Sequence, residues 1–114
     1  MQIGGPYLAF RWTASTGMVN LGNLGGGLSR ADAVNQDGSV IVGHSLTSGS
    51  TGSSHAFRWT AKTGMQDLQK LVNVPNGWTL LIADGVSADG TVITGYGLNQ
   101  KNEYEPFRIV LPLP

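Results

Sequence analysis

The sequence predicts an all-β protein built from repeated four-stranded antiparallel sheets. Two motifs that alternate along the chain carry this prediction. The hexapeptide Ala-Phe-Arg-Trp-Thr-Ala occupies residues 9–14 and returns 47 positions later at residues 56–61. An eleven-residue motif around an Asp-Gly pair occupies residues 33–43 and returns 52 positions later at residues 85–95. Two independent motifs with nearly the same period indicate a repeat unit of about fifty residues.

Each Asp-Gly pair predicts a β-hairpin. A two-residue type I′ loop requires positive φ at both central positions, which Asp and Gly tolerate. The flanking strands are expected at residues 29–36 and 39–46, and again at residues 81–88 and 91–98. The second strand of each hairpin contains a continuous β-branched run rather than an alternating one. Such a run predicts a strand that is buried on both faces, as in a sheet sandwiched between two others.

The Phe-Arg-Trp-Thr segment predicts a third strand, and the residues that follow it predict a fourth. In a strand, Phe57 and Trp59 lie on one face, whereas Arg58 and Thr60 lie on the other. A Thr-Gly pair then turns the chain into a short strand from Met65. One unit therefore has four antiparallel strands in about fifty residues, which is the size and strand count of a β-propeller blade.

Two segments interrupt the strand pattern. Residues 67–72 have apolar side chains with helical spacing, which predicts one or two helical turns. Residues 47–54 are all Ser, Thr or Gly, which predicts an exposed and mobile loop between the second and third strands of the unit.

The chain is predicted to contain about two blades' worth of sheet. Residues 1–28 are expected to hold the outer strands of an incomplete blade, residues 29–72 a complete blade, and residues 73–114 a last blade without its outer strand. A propeller typically closes with about 4–8 blades, and each unit buries its faces only against neighbours. The repeats therefore predict either a fragment of a longer propeller or a homo-oligomer in which several copies close the ring.

The charge composition argues against nucleic acids and membranes as partners. Seven Lys and Arg residues balance seven Asp and Glu residues, and no basic run occurs. Binding to a phosphate backbone and attachment to an acidic membrane surface are therefore not expected. No stretch approaches the roughly 20 apolar residues of a membrane span. The absence of cysteine excludes disulfides and Cys-based zinc sites, and no cofactor is expected.

The motifs resemble the HAF family of bacterial extracellular repeats. The resemblance rests on Ala-Phe-Arg-Trp-Thr with its following Thr-Gly-Met, on the Leu-Gly and Leu-Gly-Gly segments at residues 21–26, and on the Asp-Gly motif. The His-Ala-Phe tripeptide that names the family occupies residues 55–57, whereas Leu8 and Glu105 replace its histidine in the other two copies. The segment from residue 77 onward resembles the C-terminal repeats of such proteins.

The resemblance implies a propeller-like array that is secreted or displayed on the cell surface, and it implies no enzymatic activity. Residues 1–6 have no basic start and no apolar run, so no signal peptide is expected in this chain. The first interpretation is a non-catalytic extracellular scaffold that binds a ligand or organises structure. The alternative is an oligomeric lectin with carbohydrate sites between blades, and both a glycan and a protein stay open as ligands.

Recurring arginine and tryptophan side chains are the candidate ligand-binding residues. Both types are common binding anchors, and tryptophan rings can stack on sugars. The same recurrence is typical of residues that pack neighbouring units, so a structural role is the competing interpretation. The candidates are Arg11, Trp12, Arg58, Trp59, Trp78 and Arg108.

Histidine and aspartate offer few catalytic combinations. His44 and His55 are the only histidines, whereas a zinc site needs three or four convergent ligands. The two could be neighbours across the sheet, but a role at the surface or at a blade edge is the competing interpretation. A Ser-His-Asp triad could be drawn from Ser45, either histidine and Asp37, but no Gly-x-Ser-x-Gly turn occurs. Asp37 and Asp89 could form a carboxylate pair, yet their hairpin positions favour a role in the turns. No catalytic residue and no metal site is predicted, and the roles of both histidines stay open.

Overall fold

The computed structural model describes residues 8–47 and 54–114, so most of the loop predicted at residues 47–54 lies outside the described residues. Strands dominate this part of the chain, with one short helix, α1 (Leu68–Leu71). The strands are β1 (Ala9–Thr13), β2 (Gly17–Gly22), β3 (Gly25–Val34), β4 (Ile41–Thr47), β5 (Ser54–Thr60), β6 (Gly64–Asp67), β7 (Thr79–Val86), β8 (Val92–Leu98) and β9 (Tyr104–Val110).

These strands form three antiparallel sheets that follow one another along the chain. The first sheet contains β1 and β2, the central sheet contains β3 to β6 in sequential order, and the third sheet contains β7 to β9. The fold is therefore all-β and antiparallel, as the sequence predicts. β3 begins at Gly25, so the division predicted between residues 28 and 29 falls inside the first strand of the central sheet.

One face of the central sheet packs against the first sheet. Ile41, Phe57 and Trp59 from β4 and β5 form a buried apolar cluster with Ala9 of β1 and Leu21 of β2. Phe57 and Trp59 are two residues apart in one strand, so their side chains lie on the same face. The face predicted for the aromatic residues is therefore confirmed, and its neighbour is the preceding sheet.

The opposite face of the central sheet packs against the third sheet. Val40, Val42 and Ala56 belong to a second buried cluster that contains Leu80 of β7 and Ile93 of β8. The central sheet is therefore sandwiched between two sheets. Each contact surface is built from apolar side chains that alternate with those of the other surface along β4 and β5.

The two β-branched runs differ in how far they are buried. Residues 40–42 are buried throughout, which confirms the predicted burial on both faces. The equivalent run at residues 92–94 contradicts the same prediction, because Ile93 is buried whereas Val92 is half-buried and Thr94 is exposed. Within the described residues, the third sheet has a neighbouring sheet on one face only, which explains the difference.

The hairpin turns differ from the predicted type I′. Gly38 has a φ of +79°, but Asp37 is not among the residues with positive φ, as a type I′ turn would require. The Gly38 N–H donates to the Asn35 carbonyl at 3.2 Å, and the Asn35 N–H donates to the Val40 carbonyl at 3.0 Å. The loop therefore spans residues 36–39, and only its glycine needs the left-handed conformation.

Side chains complete this longer turn. The Asn35 Oδ1 atom accepts a hydrogen bond from the Val40 N–H at 2.9 Å. The Asp37 Oδ1 atom accepts from the Ser39 N–H at 3.0 Å and from the Ser39 hydroxyl at 2.6 Å. These bonds satisfy polar groups that a tight two-residue loop would have paired across the strands. Equivalent bonds recur in the second hairpin at Ser87, Asp89, Thr91 and Val92.

The helical turn predicted within residues 67–72 is confirmed as α1, which connects the central and third sheets. Asp67 caps the helix, because its Oδ1 atom accepts a hydrogen bond from the Gln69 N–H at 2.9 Å. The Gln69 side chain then reaches the third sheet. Its Oε1 atom accepts from the Leu80 N–H, and its Nε2 atom donates to the Trp78 carbonyl, both at 2.8 Å.

Candidate functional site

The structure does not bring the six candidate ligand-binding residues together in one site. Arg11 and Trp59 meet between the first and central sheets, where the guanidinium carbon lies 5.8 Å from the indole centroid. The Arg11 Nε atom also donates to the Gly38 carbonyl of the next hairpin at 3.2 Å. Trp59 is buried. This ring is therefore covered by Arg11 and by apolar neighbours, and it stabilises the contact between sheets instead of offering a platform for a sugar.

Arg58 is buried on the face of β5 opposite Trp59. The residue is 9% exposed, its Nη2 atom donates to the Gln66 Oε1 atom at 3.1 Å, and its Nε atom is buried without a hydrogen-bond partner. Burial lowers the pKa of Arg58, because the charged form loses hydration. In the preceding sheet, the equivalent Arg11 Nε atom binds the hairpin carbonyl of the next sheet. Arg58 does not repeat this contact, because its Nε atom has no hydrogen-bond partner and its Nη2 atom bonds within its own sheet.

Trp12 lies on the outer face of the first sheet. It is paired across the strands with Met18, and both side chains are exposed together with Phe10. We call these three residues the front face. It carries the same aromatic pattern that the central sheet buries, so its exposure marks a surface without a partner inside the described chain.

Trp78 and Arg108 line one cleft. The cleft lies between the segment that follows α1 and strand β9, has a volume of about 440 Å³ and also includes Asn73. It combines an indole ring, a guanidinium and an amide with apolar neighbours such as Phe107. Clefts with a mostly apolar lining and a few polar groups are typical of small-ligand sites. Arg11 and Trp12 share a second open cleft of about 410 Å³, which also includes Asp32 and Asp37 of the central sheet.

Both histidines pair with aspartates that the sequence analysis did not single out. The His44 Nδ1 atom lies 2.7 Å from the Asp32 Oδ2 atom within the central sheet. The His55 Nδ1 atom lies 2.8 Å from the Oδ2 atom of Asp67, the residue that also caps α1. Asp32 recurs as Asp84 at the same 52-residue offset, just before the Asp-Gly motif, but only the strand register reveals that each aspartate lies beside a histidine.

The triad considered from sequence is not assembled. Neither histidine bonds to Asp37, whose Oδ1 atom accepts hydrogen bonds from Ser39. Ser45 pairs with His55 across β4 and β5, but it is fully buried. The Ser45 hydroxyl oxygen accepts from the Leu24 N–H at 2.8 Å and lies within hydrogen-bonding distance of main-chain carbonyls. It is therefore a structural hydroxyl that holds the link between β2 and β3 against the central sheet.

Asp37 and Asp89 serve the hairpins. Hydrogen bonds from the Ser39 side chain and N–H lower the pKa of Asp37, and those from Thr91 lower the pKa of Asp89. Donors aimed at a carboxylate favour its charged form. The two aspartates line a common cleft of about 510 Å³ with three cationic side chains, those of Arg11, Arg58 and Lys62.

No family model, no curated protein and no solved structure matches the chain. Across residues 8–47 and 54–114, no helix has both the length and the apolar character needed to cross a bilayer. In the same residues, no group of three or more His, Cys, Asp or Glu side chains could hold a metal ion. A function for this chain is therefore inferred from the contacts among its described residues.

Proposed function

We propose that the chain is a stack of β-propeller-type repeats that serves as a non-catalytic scaffold for binding or structure. The double burial of the central sheet is the observation that supports this proposal most. Phe57 is covered by the first sheet, and Val42 on the opposite face is covered by the third. Units of a repeat protein bury their faces against their neighbours, and propeller blades do so around a central axis.

The roles of the repeated residues favour a scaffold over an enzyme. Arg11 and Trp59 connect adjacent sheets, and Asp37 organises a hairpin. Ser45, whose counterpart in the third sheet is Gly97, is bonded to the main chain at Leu24 and Leu28. Residues that recur in every unit and contact the next unit are explained by packing, so they need no catalytic role. We place this scaffold outside the cell or on its surface, as the resemblance of its motifs implies.

A substrate panel tests the non-catalytic part of the proposal. The purified chain should hydrolyse ester, glycoside and peptide substrates no faster than buffer. Ser45→Ala and His55→Asn are matched controls, because any contaminating activity is the same in both variants. Turnover that exceeds buffer and disappears in either variant would contradict the proposal.

A lectin is the second candidate, and the Trp78 cleft is the observation that favours it. An indole ring, the Arg108 guanidinium and the Asn73 amide line this cleft of about 440 Å³. Sugars are commonly held by an aromatic ring beneath their apolar face and by polar groups around their hydroxyls. A binding site on this outer cleft is compatible with a scaffold made of stacked sheets.

A glycan array with two tryptophan variants separates the two candidates. If the cleft binds sugars, the chain retains a set of related glycans, and Trp78→Ala abolishes this retention. Trp12→Ala, assayed at a concentration where the chain is monomeric, is the control, because Trp12 lies on the opposite outer sheet and outside this cleft. Absence of retained glycans, or equal losses in both variants, would remove the lectin and leave the scaffold.

A further inference from the structure

The first and third sheets each expose one face, and the two faces differ. The front face consists of Phe10, Trp12 and Met18. The outer face of the third sheet carries Arg108 and Val110 on β9, together with Thr94 and the exposed rings of Tyr96 and Tyr104. We call this second surface the back face. Exposed apolar patches of this kind mark interaction surfaces.

The front face already has a counterpart that is bound within the chain. Phe57, Trp59 and Met65 occupy the equivalent positions of the central sheet, 47 residues later. There they pack against Ala9 and Leu21 on the inner face of the first sheet. In the central sheet, the equivalent of the front face therefore binds the rear surface of the preceding sheet.

The back face likewise has a bound counterpart. Thr94 and Pro106 are the equivalents of Val42 and Ala56 in the central sheet. Val42 and Ala56 are fully buried against Leu80 and Ile93 of the third sheet. The central sheet uses this surface to contact the following unit, and the third sheet exposes the equivalent surface.

An arginine fixes the polarity of this contact. Arg11 projects from the rear surface of the first sheet and lies over Trp59 on the front surface of the central sheet. Arg108 is the equivalent of Arg11, and Trp12 is the equivalent of Trp59. Contact between a back face and a front face therefore places a guanidinium over an indole ring, whereas contact between two front faces leaves the ring without its cation.

We propose that the front face of one copy binds the back face of a second copy, with Arg108 of the first over Trp12 of the second. The proposal rests on the proposed function, because it extends the stacking of repeat units from one chain to two. Such a head-to-tail contact uses two different surfaces, so it generates a closed ring or an open array of copies.

Two complementary variants test the proposal by sedimentation velocity. Trp12→Asp blocks the front face, and Val110→Asp blocks the back face; both residues are exposed, so thermal melts should show that both variants fold. The unmodified chain is expected to form assemblies larger than a dimer, either rings of fixed size or an array that grows with concentration. Each variant alone is expected to be monomeric, and an equimolar mixture is expected to form a dimer that does not grow.

Two outcomes would overturn the proposal. One is an unmodified chain that stays monomeric up to its solubility limit. The other is a Val110→Asp variant that still dimerises, which indicates contact between two front faces. A monomeric chain whose central sheet is still protected would leave the proposed scaffold intact, whereas a chain in which Trp59 is solvent-exposed would contradict the scaffold itself.

The mixed dimer also measures the contribution of Arg108 to the contact. Arg108→Ala placed in the Trp12→Asp copy, whose back face is active, should raise the dissociation constant about 2- to 30-fold, the range of a cation–π contact. The same Arg108→Ala change in the Val110→Asp copy, whose back face is blocked, is the matched control and should have no effect. Equal effects in both copies, or none in either, would contradict the assigned contact.

Discussion

Two strands of this protein share the sequence Ala-Phe-Arg-Trp-Thr and differ in almost every contact. In β5, Phe57 is 0% exposed and Trp59 is 7% exposed. In β1, the equivalent Phe10 is 54% exposed and Trp12 is 63% exposed. The same pentapeptide therefore forms a core strand in one place and a surface strand in another, so neighbouring sheets decide the burial of a repeated segment.

The difference follows from the position of each strand. β5 lies between β4 and β6, and its sheet is covered on both faces. β1 pairs only with β2, and its sheet is covered by the central sheet on one face. Because apolar burial contributes in proportion to the area removed from water, equivalent residues in the two strands should contribute unequally to stability.

Truncating the equivalent phenylalanines should give the largest contrast. Phe57→Ala removes a fully buried ring from between two sheets and should lower the free energy of unfolding by about 3–5 kcal/mol. Phe10→Ala removes a half-exposed ring and should change it by about 0.5 kcal/mol or less. Urea denaturation of both variants, at a concentration where the chain is monomeric, measures the two values. Similar losses in both would show that the sheets do not stack.

The hairpin glycines provide the next contrast. Gly38 and Gly90 both have positive φ, but a Cβ atom at Gly90 would lie 2.7 Å from the Val40 Cγ2 atom, whereas one at Gly38 meets only the end of the Arg11 side chain at 3.8 Å. Gly38→Ala should cost about 1–2 kcal/mol of backbone strain. Gly90→Ala adds overpacking and should cost about 2–4 kcal/mol. Equal losses in thermal or urea unfolding would contradict the contact between the two hairpins.

The link that follows β6 should show a smaller contrast. Asp67→Ala removes the cap of α1 and the partner of His55, and should cost about 1–2 kcal/mol. The equivalent residue of the first sheet, Asn20, accepts one exposed hydrogen bond from the Gly22 N–H. Asn20→Ala should therefore cost about 0.5 kcal/mol. Chemical denaturation measures both, and a larger loss for Asn20 would contradict the assigned role of Asp67.

Acid should have the smallest effect, through the hairpin aspartates. The pKa of Asp37 and of Asp89 is lowered in the folded chain. The stability that their carboxylates contribute is therefore present above their unfolded pKa of about 3.9 and is lost as the pH falls through the lower folded values. Asp37→Asn and Asp89→Asn should flatten this acid-dependent decline in melting temperature. Asp84→Asn is the control for removing a surface charge, and an equal flattening there would contradict the assignment.

Much of the fold was predictable because periodicity encodes it. The spacing of the two motifs predicted the hairpins, the strand that carries Phe57 and Trp59, and the order of the strands. The continuous run at residues 40–42 predicted burial on both faces. The same argument failed at Thr94. A sequence pattern indicates which strand residues tolerate burial, whereas actual burial also requires a neighbouring sheet, which depends on position in the stack.

The contacts of polar residues were less predictable. The Asp-Gly pair suggested type I′ loops, but the Asn35 side chain and Ser39 support a longer turn with one left-handed glycine. The partners of both histidines were missed. Strand register alone brings Asp32 beside His44 and Asp67 beside His55. Asp67 carried one local signal, its position immediately before a short helical segment, where aspartate is a favoured cap.

Fluorine NMR of the chain labelled with 5-fluorotryptophan tests the stacking of the sheets most directly. Resonances are assigned with Trp12→Phe and Trp78→Phe, which leave the buried ring in place. At concentrations where the chain is monomeric, exchange from H₂O to D₂O should shift the Trp12 resonance most, that of half-buried Trp78 less, and that of Trp59 hardly at all. Equal solvent shifts for Trp12 and Trp59 would contradict a central sheet that is buried on both faces.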